Sequence, residues 1–241
     1  MIPFLGPADP FPPVEQALDQ PEGLLAAGGS LNTRRLVDAY RRGIFPWFNE
    51  GDPILWWSPD PRTVLRPARL HVSHSLRKKL RKGSFFITTD RAFARVLDGC
   101  AAPRAGRMST WINTRIRALY RDLFERGACH TVEVWDGDRI VGGLYGVALK
   151  SAFFGESMFS TERDASKIAL VHLIARLIRG GFSLLDTQFV TEHLRQFGTI
   201  ELDRATFQAE LEKALEKNAD FYALPIDASG AEVTAIISAA S

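Results

Sequence analysis

The stretch Gly155-Glu-Ser-Met-Phe-Ser160, running through Asp164-Ala-Ser-Lys167 into an apolar segment and on to Gly180-Gly181-Phe-Ser-Leu-Leu-Asp-Thr-Gln188, decides how this chain folds. It reads as a strand, a crossover helix and a second strand. Alternation puts Phe153, Gly155 and Ser157 on one face of the first strand, and Phe154, Glu156 and Met158 on the other. On the second strand, Phe182, Leu184, Asp186 and Gln188 share a face. Polar side chains on an otherwise apolar strand face cost free energy to bury unless they are partnered. Glu156, Asp186 and Gln188 are therefore candidates for function. The helix between the strands, Ala165–Arg179, is apolar nearly all round and must be covered on several sides.

Upstream of this unit, Thr131–Trp135 and Arg139–Leu149 read as strands joined by the hairpin signal Asp136-Gly137-Asp138. With Ala152–Phe159 they form an antiparallel meander. Gly142, Gly143 and Gly146 lie within the second of these strands, where glycine allows close approach of neighbouring backbone. Further upstream, helices are expected over Thr33–Arg42, Ser73–Lys82, Asp90–Gly99 (capped by Thr89 or Asp90) and Thr114–Arg126. Strands are expected at Ile54–Trp57, Thr63–Leu70 and Phe85–Thr88, and a loop at Ala101–Ser109 carries Arg104 and Arg107. The prolines at 59 and 61 suggest a boundary between a small domain, residues 1–60, and a larger one, residues 61–241. After a further helix, Phe207–Leu215, the tail carries no clear pattern.

Composition bounds the function. The chain has 241 residues, 46% hydrophobic and 24% charged, which is ordinary for a globular protein. Its two cysteines, Cys100 and Cys129, lack metal-ligand spacing and any setting that would activate a thiol, so a reducing, cytoplasmic location is expected. No apolar run approaches membrane-spanning length, and the first residues do not read as a signal peptide. Between Asp60 and Asp90 there is no acidic residue. That interval holds Arg62, Arg66, Arg69, Arg77, Lys78, Lys79, Arg81 and Lys82, a one-signed cluster that suits a polyanion such as nucleic acid. Three of the five tryptophans fall between Trp47 and Trp57. Such a cluster forms a small core or offers a face on which a base stacks, and Trp47, beside Pro46 in a loop, is the better stacking candidate.

The meander, crossover helix and further strand resemble the core of the GCN5-related N-acyltransferase fold, which makes the expected class α+β, with a small N-terminal α/β domain in front. The helix start in this chain has no glycine and carries Glu162 and Asp164, which disfavours the pyrophosphate of coenzyme A there. A set of longer strings is more specific: Gly23-Leu-Leu-Ala-Ala-Gly-Gly, Arg42-Gly-Ile-Phe-Pro-Trp-Phe, Trp56-Trp-Ser-Pro-Asp-Pro-Arg, Gly142-Gly-Leu-Tyr-Gly-Val, Gly155-Glu-Ser-Met-Phe-Ser and Asp186-Thr-Gln. Together they resemble the bacterial leucyl/phenylalanyl-tRNA–protein transferases over about Phe11 to Phe207.

That resemblance implies a reaction in which Leu or Phe (also Met) moves from aminoacyl-tRNA to the N-terminal Arg or Lys of an acceptor protein, marking it for N-degron degradation. It further implies that Trp47 and Trp111 hold the 3′-terminal adenosine. The tRNA body would lie on Arg77, Lys78, Lys79, Arg81 and Lys82. Leu144, Met158, Leu170, Leu173 and Leu185 would line the pocket for the aminoacyl side chain, and Glu156, Asp186 and Gln188 would form the polar catalytic set. Thr187 stands where the family usually has cysteine.

The donor in such a reaction is an activated ester, so no cofactor, ATP or metal is expected, and the protein is expected to act as a monomer away from membranes. An α-amine with a pKa of about 7.7–8.0 is partly neutral near pH 7, so positioning matters more than a strong base. In this reading Gln188 binds the attacking amine, Asp186 orients Gln188 and stabilises developing positive charge, and Glu156 positions the aminoacyl group or the acceptor. Asp186 as general base is the competing assignment. Two other classes fit the sequence: another aminoacyl-tRNA-dependent transferase on the same fold, and a non-catalytic RNA- or N-degron-binding module.

Overall fold

The first sixty residues are too rich in Pro and Gly for long elements, and they pair as short ones. The computed structural model describes residues 2–103 and 110–240; Arg104 and Arg107 of the expected loop lie outside them. Strands β1 (Phe4–Leu5) and β2 (Leu24–Gly28) lead to helix α1 (Thr33–Arg41), then to β3 (Phe45–Pro46) and β4 (Leu55–Trp57). They form a four-stranded sheet in the order β1-β2-β4-β3, in which only the β1–β2 pair is parallel. Asn32 caps α1 by accepting the Arg35 N–H at 2.9 Å, and the helix turns Leu36, Ala39 and Tyr40 inward.

After Ser58–Pro61 the chain enters a second sheet. Its elements are β5 (Arg62–Leu65), α2 (His74–Lys82), β6 (Phe86–Thr89), α3 (Phe93–Ala101), α4 (Thr114–Glu125), β7 (Cys129–Asp136), β8 (Arg139–Leu149), β9 (Ala152–Ser160), α5 (Ala165–Gly180), β10 (Leu184–Gln188), α6 (Glu192–Arg195), β11 (Ile200–Leu202), α7 (Arg204–Glu216) and α8 (Gly230–Ala240). The sheet has the order β11-β5-β10-β9-β8-β7-β6. Only β9 and β10, joined by the crossover helix α5, run parallel; every other neighbouring pair is antiparallel. The fold is α+β, with the meander and crossover read from the sequence.

Local departures from the expected elements have local causes. Pro67 ends β5 early, and residues Pro67–Arg69 form a 3-10 turn instead of more strand. Helix α3 starts at Phe93, not at Asp90. Asp90 adopts φ 57° and gives its carboxylate to His130 Nδ1 (2.8 Å) and the Thr131 N–H (2.6 Å). The capping role passes to Glu133 on β7, which accepts the N–H groups of Arg91 and Ala92, both at 3.2 Å. The tail after α7 is not patternless. In α8, Val233 and Ile237, four residues apart, pack into the apolar cluster that includes α5.

Two apolar clusters lie on the two faces of the large sheet. One joins the N-terminal sheet and α1, α3, α4 and α7. The other collects α2, α5, α8 and the segment around Phe221. Helix α5 is buried almost continuously from Ala165 to Leu177, which explains its lack of a polar face. The shared first cluster welds the N-terminal sheet to the larger one through Tyr40, Phe45, Tyr120 and Phe207.

The β8 glycines are sites of close approach. A Cβ on Gly142 would lie 2.6 Å from Ala165 Cβ and 3.0 Å from the Ala165 carbonyl carbon, so a side chain there would press on the start of α5. Gly142→Ala is expected to cost about 1–3 kcal/mol of stability through overpacking, read as a lowered urea midpoint with an unchanged slope. An unaltered midpoint would show that α5 can withdraw without cost.

Candidate active site

Pairing between β9 and β10 ends at Phe154↔Asp186, although β9 continues to Ser160 and β10 to Gln188. Beyond that point the two parallel strands part, and each carries a bulge. On β9, Tyr145 faces Ser157 but Gly146 faces Gly155, which makes Glu156 the extra residue. On β10, Asp186 faces Val64 but Gln188 faces Thr63, which makes Thr187 the extra residue. Gln188 reaches this geometry with φ 64°, a left-handed conformation uncommon for a side chain other than Gly, Asn or Asp. Bulges re-aim side chains, and these two do so around a cavity of about 690 Å³.

The β9 bulge overturns the expected faces. Phe154 and Glu156 point into the cluster shared with the N-terminal sheet, whereas Met158 packs against the opposite cluster with Leu144 and Leu170. Strict alternation would have kept Glu156 and Met158 together. The β10 bulge likewise separates Asp186 from Gln188. Asp186 is fully buried and does not line the cavity, while Thr187 and Gln188 do.

Glu156 sits at the centre of a hydrogen-bonded ring. Tyr40 Oη donates to its Oε1 and Tyr120 Oη to its Oε2, each at 2.6 Å, and the two phenol oxygens are 2.7 Å apart. Gln188 Nε2 approaches Oε1 at 3.5 Å. The phenols come from α1 and α4, and Asn113 fixes α4 by accepting the Ile116 N–H at 3.0 Å. Three contacts within the ring need three protons, and the two phenols supply two. A protonated Glu156 supplies the third: its O–H then donates to one phenol, which turns to donate to the other. Burial accordingly pushes Glu156 up from 4.5 to about 7, with the phenol hydrogen bonds opposing and nearby Asp186 adding to the rise.

Asp186 is held from the other side. Arg62 on β5 donates from Nε to Oδ1 at 2.9 Å and from Nη2 to Oδ2 at 2.7 Å, a bidentate pair with both side chains fully buried. Arg62 Nη1 also donates to the Gly43 carbonyl at 3.0 Å. Asp186 Oδ1 accepts the Gln188 backbone N–H at 2.9 Å, and Thr187 Oγ1 donates to the Thr63 carbonyl at 3.0 Å. Asp186 therefore sets the backbone of Gln188, and its charge is compensated by Arg62 instead of facing the cavity. The expectation that it meets developing positive charge does not fit this placement.

The cavity wall gathers the other expected residues. Leu144, Met158, Leu170, Leu173 and Leu185 line it, as do Trp47 and Trp111. Trp47 is 44% exposed and meets Trp57 and Phe189 at ring-centroid distances of 5.4 and 5.7 Å. The basic helix α2 lies outside the cavity lining. It buries Leu76 and Leu80 and leaves Lys78, Arg81 and Lys82 exposed, while Lys79 reaches Asp164 at 3.3 Å and Arg77 donates to Ser238 Oγ at 2.9 Å. The one-signed cluster expected between residues 60 and 90 is smaller in space than in sequence. Arg62 is consumed by Asp186, and Arg66 pairs with Glu210.

Sequence reading missed Tyr40, Tyr120, Arg62 and Phe189. Arg62 closes the string Trp56-Trp-Ser-Pro-Asp-Pro-Arg, and that position was the one available signal. The tyrosines lie on helix faces that read as ordinary core.

With this geometry in hand, the relatives are informative. The family model described as leucyl/phenylalanyl-tRNA protein transferase matches residues 64–212, and the model of that family's N-terminal domain matches residues 29–60. The chain belongs to this family. A leucyl/phenylalanyl-tRNA–protein transferase of Nitrosospira multiformis is 54% identical over 88% of this chain and 92% of its own length. One of Aromatoleum aromaticum is 56% identical over 88% of this chain and 89% of its own. Among solved structures, L-PGS from Bacillus licheniformis aligns over 73% of this chain and 59% of its own, at 11% identity and a TM-score of 0.36, a likeness too slight to carry an argument.

Removing one partner of a buried ion pair strands the other charge. Arg62→Met is expected to cost about 3–5 kcal/mol, and Arg62→Met combined with Asp186→Leu much less, because no charge is then left unpaired. Thermal melts of the two variants test this; equal losses would mean that the pair contributes only packing.

The ring at Glu156 makes stability depend on pH. Its folded-state pKa is raised, so its stabilising contribution is full below about 4.5 and is lost as pH rises through about 7. Measured against Glu156→Gln, the unmodified protein should therefore lose relative stability between pH 5 and pH 8. A difference in melting temperature that stays constant over that range would contradict the burial of a titrating carboxyl.

Proposed function

We propose that this chain transfers Leu or Phe, and also Met, from aminoacyl-tRNA to the N-terminal Arg or Lys of acceptor proteins, marking them for N-degron degradation. The observation that carries this reading is a single cavity lined by aliphatic side chains, by two tryptophans and by Glu156 and Gln188. The aliphatic wall formed by Leu144, Met158, Leu170, Leu173 and Leu185 offers no partner to a polar donor side chain. It would reject charged or hydroxylated residues by leaving their polar groups unsatisfied. Trp47 and Trp111 would hold the terminal adenosine between rings, which is worth about 1–3 kcal/mol per stacked base. The exposed cations of α2 would carry the body of the tRNA. The residues 1–60 and 61–241 are read as two domains, a division supported by the change of sheet after Trp57 and by the place where the two family models meet.

In the transfer, the acceptor's α-amine attacks the ester carbonyl carbon, and a new C–N bond forms. The C–O bond to the adenosine breaks, and one amine proton ends on the leaving 3′ oxygen. The general-base role moves from Asp186 to Glu156, because Asp186 is paired with Arg62 and lies off the cavity, whereas Glu156 lines it. A carboxyl of pKa about 7 is matched to an amine of about 7.7–8.0. When Glu156 takes the proton, its ring with Tyr40 and Tyr120 becomes complete. Gln188, whose backbone is set by Asp186, would bind the amine or the ester carbonyl. Asp186 is thus a positioning residue. Among the described residues no helix is long and apolar enough to cross a membrane; a cytoplasmic monomer is the form proposed.

The test is direct. Incubation with leucyl-tRNA and a peptide beginning with Arg should yield a peptide one leucyl residue heavier, whereas a peptide with an acidic N-terminus should stay unmodified. Gln188→Ala should lower kcat by about tenfold to a hundredfold while the KM for charged tRNA stays within twofold, on the scale of one lost transition-state hydrogen bond. Binding of charged tRNA without any transfer would favour the RNA-binding module instead.

A further inference from the structure

Among the described residues lining the cavity, the Asp, Glu, Lys and Arg side chains are those of Glu156, Asp164 and Lys167. His193 also lines it, but burial and the neighbouring Lys167 lower its pKa, which disfavours its charged form. Among the described residues, Lys167 is thus the one Lys or Arg on that wall. It stands in the first turn of α5, close to Asp164. Asp164 adopts φ 68°, and its carboxylate makes no capping bond to the helix. It is shared by Lys79 at 3.3 Å, Lys167 at 3.6 Å and Arg163 at 3.8 Å. One carboxylate against three cations leaves this corner positive, although the sequence Glu162-Arg-Asp reads as unfavourable to an anion.

The two lysines are held differently. Lys79 also donates to the Arg163 carbonyl at 2.5 Å and is fixed between α2 and α5. Among the described residues, Lys167 has as ion-pair partner only Asp164, approached at 3.6 Å, longer than a charge-assisted hydrogen bond of about 2.7–2.9 Å. Its side chain remains 31% exposed. Lys79 links the basic helix to this corner, and Lys167 continues the line of positive charge into the cavity.

The geometry points to Lys167 as a positioning residue that holds a backbone phosphate next to the 3′-terminal adenosine of the donor. This rests on the transfer reading above. A nucleotide chain that runs from α2 into the cavity brings a phosphate past the Asp164 corner, and an ammonium binds phosphate as a point charge. Such a contact fixes register and carries no sequence information. Lys167 acts on how the ester is delivered, not on the bond that breaks.

The experiment compares two donors. One is full-length phenylalanyl-tRNA; the other is 3′-O-phenylalanyl-adenosine, which has no phosphate. Lys167→Gln should raise the KM for the charged tRNA about tenfold, equivalent to about 1.4 kcal/mol, while kcat and the kinetics with the adenosine donor change less than twofold. The dependence of log KM on log salt should become shallower by about 0.7, one phosphate contact on a single strand. Lys167→Arg should restore most of the loss. An equal rise in KM on both donors would assign Lys167 a structural role through Asp164 and overturn the proposal, as would an unchanged KM for charged tRNA. Failure of the unmodified protein to use either donor would instead sink the transfer reading and this proposal with it.

Discussion

The Arg62 guanidinium lies between the rings of Phe45 and Phe207, 4.8 and 4.7 Å from their centroids, and closes a bidentate pair on Asp186. It is the point where four parts of the chain meet. Arg62 belongs to the second sheet, Phe45 to the first, Phe207 to α7 and Asp186 to the strand that follows the crossover. Its Nη1 donates to the Gly43 carbonyl, at the turn after α1. Two charges in such a place lose their hydration. They are tolerated because every donor and acceptor on the Asp186 side is matched, and because flat rings cover the guanidinium faces. An apolar pair could pack the same space. It could not hold the Gln188 N–H, so the pair secures the bulge that turns Gln188 toward the cavity.

From that anchor the site follows by geometry. Two parallel strands part after one last pair, and a bulge on each supplies a polar side chain to the gap. The gap is lined by aliphatic side chains of β8, β10 and α5 and by Trp47, Trp111 and Phe189. Glu156 is bound by phenols from two helices that begin far apart in sequence, and its raised pKa follows from their enclosure. A carboxyl that changes charge near neutrality, beside an amide and an apolar pocket, suits a reaction whose nucleophile is itself an amine close to its pKa.

The meander and crossover were legible because β-strand alternation, the Asp136-Gly137-Asp138 turn and the apolar α5 each carry a local signal. The leucine wall and the tryptophan pair were expected from the family resemblance, and the cavity lining includes them. What escaped was non-local. Asp186 and Gln188 are two residues apart and were read as sharing a face, but one inserted residue against β5 separates them. Glu156 and Met158 were separated in the same way. A bulge is a property of the partner strand's register as much as of its own residues, so strict alternation cannot reveal it. Helix α8 was missed because its few buried positions make sense only against α2 and α5.

The sequence by itself determined the α+β class, the order of the central elements, the family and the residue types at the site, since these rest on local periodicity and on long unusual strings. Only the tertiary structure decided what encloses each member of the polar set. It took Arg62 out of the basic cluster and gave it to Asp186, brought Tyr40 and Tyr120 onto Glu156, and turned the acidic start of α5 into a positive corner through Lys79 and Lys167. The physical reason is common to all three. The charge and proton affinity of a side chain are set by what encloses it, and here the enclosing groups come from elements far apart in the chain.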